Sequence, residues 1–268
     1  MTATDPRTGY APVNGLDMYY EVHGTGRPLI LLHGALSTTS VDFGAALPSL
    51  AKGRQVIAVE QQAHGHTADI DRPLSIDQMA DDTAALLRHL GIEQADLFGY
   101  SMGAGIALRI TLEHPELVRK LAVASLAHTR DGLHPGLLDG LQQVTPEMLA
   151  GTPFEQAYAR EAPHPEAWPT LVAKVMEFNR NVPEWPAEAI RSITAPTLLI
   201  IGDSDIVRPE HAVEMFRLLG GGVVGDLVGL PRSRLAVLPG TTHVTLVHRG
   251  DWLSSMIGEF LDAPAPGS

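Results

Sequence analysis

Gly99-Tyr100-Ser101-Met102-Gly103, followed by Ala104-Gly105, flanks a serine with glycines two positions to either side. In a sharp strand-to-helix turn such small neighbours let strand and helix close together, and the turn pushes the serine Oγ outward. The N–H groups at the start of the following helix can then stabilise an oxyanion. A serine hydroxyl is barely nucleophilic at neutral pH; it needs a base, and the base needs an orienting group. The chain has 12 histidines. His243 is the one reached from a late apolar strand by a short loop, Leu238-Pro239-Gly240-Thr241-Thr242. The stretch Gly202-Asp203-Ser204-Asp205-Ile206-Val207-Arg208-Pro209 supplies two aspartates at another strand end. One of them can serve by bonding loop N–H groups or capping the next helix, and composition leaves the choice open. His64-Gly65-His66 resembles a metal-ligand spacing, but Asp69 falls one residue off it and no adjoining histidine follows, so no metal is expected.

These residues need rigid elements to bring them together. Pro28–Leu32, Gln55–Val59, Ala95–Tyr100, Leu117–Ser125, Pro196–Ile201 and Ser233–Leu238 are short apolar runs that read as buried strands. Asn14-Gly15 between apolar positions predicts a hairpin over Val13–Val22. Helical spacing marks Ser75–Leu90, stopped by Gly91, and helices are expected at Gly103–Glu113, Glu210–Leu219 and Trp252–Leu261. Strands alternating with helices imply a mostly parallel sheet covered on both faces. Ser101, His243 and one of Asp203 and Asp205 then lie at one edge of it, where ligand and catalytic groups of such sheets gather. The alternation breaks over residues 129–186, rich in proline, where short helices are expected around 136–144, 154–161 and 167–179. Long insertions in compact domains are usually functional, so this one reads as a helical cap. A frayed tail is expected from Ala263 to Ser268.

The 268 residues, 44% hydrophobic and 19% charged, suit one domain, 1–268, with no need of a disulfide or metal. Absence of cysteine excludes thiolate chemistry. A net charge of -12 argues against nucleic acid and against anionic membranes. The first ten residues lack a signal-peptide core, and no apolar run approaches the roughly 18 residues of a membrane span. The expectation is a cytoplasmic protein acting on a small molecule, with no cofactor; the oligomeric state is left open.

The chain resembles the α/β-hydrolase superfamily, in its branch of small esterases, lactonases, perhydrolases and carbon–carbon bond hydrolases. The resemblance runs from about Tyr19 to Leu261 and rests on four stretches. Beyond the serine turn, Gly202 to Pro209 matches a G-x-x-D pattern with Asp205 as the acid, Pro239 to Val244 matches P-G-x-x-H-x, and the order Ser101, Asp205, His243 is the family order. His33-Gly34-Ala35 resembles the family's H-G pair, which implies an oxyanion hole from the N–H groups of Ala35 and Met102 and a structural role for His33. Glu60 to Thr67 resembles D-x-x-G-H-G-x-S but departs at Glu60, Ala63 and Thr67, which bears on loop shape more than mechanism. The resemblance implies acyl transfer through Ser101, with a small ester or lactone as first choice of substrate. Carbon–carbon hydrolysis and perhydrolysis share the same three residues. Non-hydrolytic members of the fold, among them lyases, cyclases and ligand receptors, form the alternative of a different class.

Overall fold

The computed structural model describes residues 6–264. The expected frayed tail lies outside the described residues from position 265 onward. Eight strands form one sheet: β1 (Arg7–Val13), β2 (Leu16–His23), β3 (Arg27–Leu32), β4 (Arg54–Val59), β5 (Ala95–Tyr100), β6 (Val118–Ala124), β7 (Thr197–Ser204) and β8 (Ser233–Thr242). Their order is β1-β2-β4-β3-β5-β6-β7-β8. Only β2 runs against the rest, antiparallel to both β1 and β4; the pairs from β4 through β8 are parallel. Asn14 and Gly15, both at positive φ, make the β1–β2 turn that the N-G pair predicts.

The apolar runs are continuous because both faces of the sheet are covered. In β3, Ile30 and Leu32 join the cluster on one face while Leu29 and Leu31 join the cluster on the other. Val56 and Ala58 of β4 alternate with Ile57 and Val59 in the same way. The helices between β3 and β4 are α1 (Thr39–Phe43) and α2 (Leu47–Leu50); α3 (Ile76–His89) precedes β5, and α4 (Met102–Glu113) follows it. Ser75 caps α3 by accepting from Gln78 N.

Between β6 and β7 the chain forms α5 (Leu137–Leu141), α6 (Pro153–Glu161), α7 (Trp168–Arg180) and α8 (Ala187–Arg191), with no named strand among them. The prolines that break the pattern sit in first turns, Pro153 in α6 and Pro169 in α7, where their missing N–H costs nothing. After β7 come α9 (Pro209–Leu218) and α10 (Gly225–Val228); after β8 come α11 (His243–Leu246) and α12 (Gly250–Asp262). Leu253, Ile257, Phe260 and Leu261 of α12 pack with Phe43 and Leu50 in the cluster of the second face. No helix among the described residues is long and apolar enough to cross a membrane.

β7 and β8 run beyond their expected ends, to Ser204 and Thr242. β8 continues through Pro239-Gly240 to Thr242, because Gly240 takes φ +59 and a register shift opposite Gly202 and Ser204 absorbs the irregularity. The last helix starts at Gly250, two residues before its expected start at Trp252, and His248 falls in the link between α11 and α12.

Candidate active site

Ser101 sits where β5 turns into α4, with φ 54 and ψ -118, a strained conformation for a residue with a side chain. Its neighbours show why the turn is glycine-rich. A Cβ on Gly103 would collide with the carbonyl oxygens of Leu32 and His33, and one on Gly99 with the carbonyl of Gly103. The helix start therefore packs directly on the end of β3. Ser101 N–H donates to Ala124 O at 3.0 Å, fixing the turn against β6.

His243 Nε2 lies 3.1 Å from Ser101 Oγ, and its Nδ1 lies 3.2 Å from Asp205 Oδ1. The three residues expected from the sequence are thus brought into one hydrogen-bonded chain from the ends of β5, β7 and β8. An ionised Asp205 can only accept, so Nδ1 carries the ring proton and Nε2 faces the serine hydroxyl with its lone pair. His243 opens α11, which Thr242 caps through a reciprocal capping box with Thr245. Tyr100 donates its hydroxyl to the His243 carbonyl at 2.9 Å, linking the serine turn to the histidine loop.

Asp205 is 4% exposed. Oδ2 accepts from Ser125 Oγ (2.6 Å) and Gly202 N–H (3.1 Å), and Oδ1 from Ile206 N–H (2.7 Å) as well as His243. Burial opposes its charge, but these donors, His243 first among them, hold the carboxyl below its ordinary range. Asp203 does different work. Exposed, it accepts from Gly240 N–H (3.0 Å) and Thr241 N–H (3.1 Å) and so shapes the strand end that leads to His243. These bonds hold its carboxyl low as well.

The loop after β3 is braced from three sides. His33 Nδ1 donates to Gly34 O (2.7 Å) while its Nε2 accepts from Gln61 N–H (3.1 Å). His64 donates Nδ1–H to Gln62 O (2.8 Å) and accepts Leu36 N–H at Nε2 (3.1 Å). Asp42 accepts Gly34 N–H and Ser37 Oγ–H, both at 2.7 Å. Burial keeps both imidazoles neutral, pushing each down to about 4, and pushes Asp42 up to about 6. Gly34 N–H and Leu36 N–H are thereby engaged, with Ala35 between them, while Met102 opens α4, whose first N–H groups lack intrahelical acceptors. Ala35, Met102, Ser101 and His243 all line one cavity of about 380 Å³.

Sequence reasoning missed Asp42, Ser125 and Tyr100. A lone acid inside Ser40-Val41-Asp42-Phe43 was the available signal for Asp42; Ser125, at φ 56, and the Tyr100 hydroxyl carried none. His64, within the stretch that the family resemblance implies to be structural, is a brace of the loop after β3. Of the departures in its loop, Thr67 has a visible bonding role, whereas Ala63 takes a backbone conformation that favours glycine. Thr67 Oγ1 donates to Glu60 O (2.8 Å) and accepts Tyr19 N–H (2.9 Å), and Ala63 holds φ +65 without glycine.

A hydroxyl, an imidazole and a carboxylate in series at the edge of a parallel sheet can generate an oxygen nucleophile beside backbone donors, and comparison with known proteins places the chain among hydrolytic enzymes. It belongs to the family described as alpha/beta hydrolase fold, which matches residues 27–167, more than half of the 268. It is similar to 2-hydroxymuconate semialdehyde hydrolase of Pseudomonas sp. strain CF600, 26% identical over 269 residues that cover 89% of this chain and 88% of that protein. Serine hydrolase BPHL of Mus musculus is 26% identical over 263 residues, covering 93% of this chain and 84% of the other. The crystal structure of a serine hydrolase involved in carbazole degradation shares the fold, with a TM-score of 0.76 at 20% identity over 96% of this chain and 99% of that one.

Proposed function

We propose that this hydrolase cleaves small, uncharged carboxylic esters or lactones through an acyl-enzyme on Ser101. The observation that carries the reading is the Oγ–Nε2 and Nδ1–Oδ1 pair of contacts, 3.1 and 3.2 Å, opening on an apolar cavity. Ser101 Oγ attacks the carbonyl carbon as its proton passes to His243 Nε2. Asp205 stabilises the imidazolium, and the N–H groups of Ala35 and Met102 hold the oxyanion. Collapse expels the alcohol, which takes the proton from Nε2. Water, deprotonated by the same nitrogen, then releases the acid and restores Ser101.

Residues 129–186 act in this account as a cap within a single domain. Leu138, Leu141, Phe154, Met176 and Phe178, all from this segment, line the cavity opposite Ser101. The volume, about 380 Å³, lies at the small end of the range of roughly 300–1,000 Å³ usual for ligand pockets. Among the described lining residues Arg130 is the one Lys, Arg, Asp or Glu; it is exposed, and its guanidinium donates to the Arg180 carbonyl. An acidic substrate such as the semialdehyde named for the Pseudomonas relative finds no buried cation here, which favours a neutral ester over carbon–carbon cleavage of an anion. Turnover of p-nitrophenyl esters of graded acyl length, set against 2-hydroxymuconate semialdehyde, tests the choice. Ester hydrolysis that peaks at intermediate chain length is expected. Cleavage of the semialdehyde with no turnover of any ester would overturn the proposal.

A further inference from the structure

Away from Ser101, two groups of histidine and carboxylate side chains among the described residues each bring three donor atoms within 4.8 Å of one another: His128 with His211 and Glu214, and Glu60 with His66 and Glu161. The first group does not suit a cation. Its imidazoles are stacked, centroids 4.4 Å apart and planes 23° from parallel, so their in-plane lone pairs run side by side instead of converging. His211 Nε2 also accepts His128 N–H at 3.1 Å, which leaves the proton of the neutral ring on Nδ1, the nitrogen facing Glu214.

The second group is built differently. Glu60, at the end of β4, is 1% exposed, and its Oε2 accepts both the backbone N–H of His66 (2.6 Å) and its Nδ1 (2.8 Å). Gly65, at φ +52, makes room for this carboxylate, since a Cβ there would collide with it. The His66 ring is held flat against Tyr19, centroids 4.2 Å apart, and its side chain remains 34% exposed, open to an arriving ion. Glu161 ends α6, and its side chain is 10% exposed. Its Oε1 accepts from Ser40 Oγ (2.8 Å) and Arg160 (2.7 Å), while its Oε2 is buried with no hydrogen-bond partner. A buried carboxylate oxygen without a donor is costly. Here it belongs to a side chain set beside a second buried carboxylate, and a doubly charged cation satisfies both at once.

We propose that Glu60, His66 and Glu161 form a binding site for a divalent first-row cation, Zn²⁺ or Mn²⁺, which fastens α6 to the loop after β4. Mixed imidazole and carboxylate ligands suit these ions over Mg²⁺ and Ca²⁺. The cation replaces the proton shared by His66 Nδ1 and Glu60 Oε2, which leaves to solvent, and Nε2–H remains on the exposed side of the ring. Bonds of about 2.0–2.2 Å set tetrahedral edges of roughly 3.4 Å, so the 2.8 Å pair opens by about 0.6 Å. Water fills the remaining positions.

The test is calorimetric titration of the chelator-treated full chain with ZnCl₂, MnCl₂ and MgCl₂, paired with thermal unfolding. One equivalent of Zn²⁺ or Mn²⁺ should bind, and the unfolding temperature should rise by about 5–10 °C at a hundredfold excess over Kd, with Mg²⁺ much weaker. Glu161→Gln keeps an acceptor for Ser40 but should weaken binding at least about tenfold, as should His66→Gln, whereas Glu214→Gln should bind as wild type. Metal-free Glu161→Gln should unfold below the wild-type temperature, since Arg160, Ser40 and Thr38 hold the Glu161 carboxyl below its ordinary range in the folded chain. The proposal is overturned if neither Zn²⁺ nor Mn²⁺ binds the wild-type chain, or if binding survives Glu161→Gln and His66→Gln.

Discussion

Asparagine at position 205 separates the charge of the acid from its hydrogen bonds. The carboxylate faces donors only: His243 Nδ1–H, Ile206 N–H and the more distant Val207 N–H on Oδ1, Ser125 Oγ–H and Gly202 N–H on Oδ2. An asparagine must turn its NH₂ to one side. At the Oδ1 position that nitrogen would oppose Ile206 N–H at 2.7 Å; at the Oδ2 position it opposes Gly202 N–H at 3.1 Å, while the Ser125 hydroxyl can rotate to accept. The second orientation conflicts less, so the amide oxygen should stay toward His243 and preserve its tautomer. What disappears is the charge opposite the imidazolium. Hydrogen bonds to charged groups contribute about 1.5–3 kcal/mol against about 1 kcal/mol for neutral ones, and the site is 4% exposed and poorly screened. The difference of about 0.5–2 kcal/mol makes the expected loss in kcat about 2–30-fold, well short of the roughly 10⁴-fold that accompanies the wrong tautomer. Asp203→Asn gives up one of two backbone acceptors on an exposed loop and should lower kcat only a few-fold. The assay is kcat on a p-nitrophenyl ester for both variants, with thermal unfolding as the control for folding. If Asp203→Asn is the crippled enzyme while Asp205→Asn turns over normally, the acid is misassigned.

Gly103→Ala should destabilise the chain by more than about 3 kcal/mol, because its Cβ meets backbone oxygens of Leu32 and His33 that cannot swing aside; chemical denaturation measures this, and wild-type stability would contradict it. Leu138→Trp should lower kcat/KM for the longest accepted acyl chain by about tenfold or more and leave acetate hydrolysis nearly unchanged; an unaltered chain-length profile would exclude the segment from substrate selection. Because burial pushes His33 and His64 down to about 4, the unfolded chain binds more protons than the folded one between about pH 6.5 and 4, and stability falls as pH drops through that window. Asp42, pushed up to about 6, acts in the opposite sense and offsets part of the fall. His64→Gln should therefore make the dependence shallower by about 1.4 kcal/mol per pH unit, and equal slopes for the two proteins would refute a buried neutral His64.

Ser101 and His243 were legible because each follows an apolar strand within a few residues, and a parallel sheet brings such strand ends to one edge; strand position left Asp203 and Asp205 open, and only the family resemblance pointed to Asp205. Glycine spacing around Ser101 was legible for the same local reason. The braces were not. Asp42 reaches Gly34 and Ser37 only through the folding back of α1, His64 meets Leu36 across 28 positions, and Ser125 meets Asp205 across 80. Pairings of that kind leave no periodic trace. The short helices α1, α2, α10 and α11, of four or five residues, escaped for a different reason: they are too brief for a 3.6-residue stripe to appear. β8 outran its expected end because Pro239-Gly240 reads as a turn in sequence, whereas the register shift against β7 lets the strand continue.

Covalent labelling tests the central claim most directly. A serine-directed fluorophosphonate mimics the tetrahedral intermediate and needs the nucleophile, the base and the oxyanion donors together. Mass spectrometry of the digested adduct should place one phosphonyl group on the peptide containing Ser101, with hydrolysis lost in step with labelling. His243→Gln should slow the labelling, and Ser101→Ala should abolish it. Labelling of another residue with the Ser101 peptide unmodified, or ester hydrolysis at the wild-type rate by Ser101→Ala, would contradict the account.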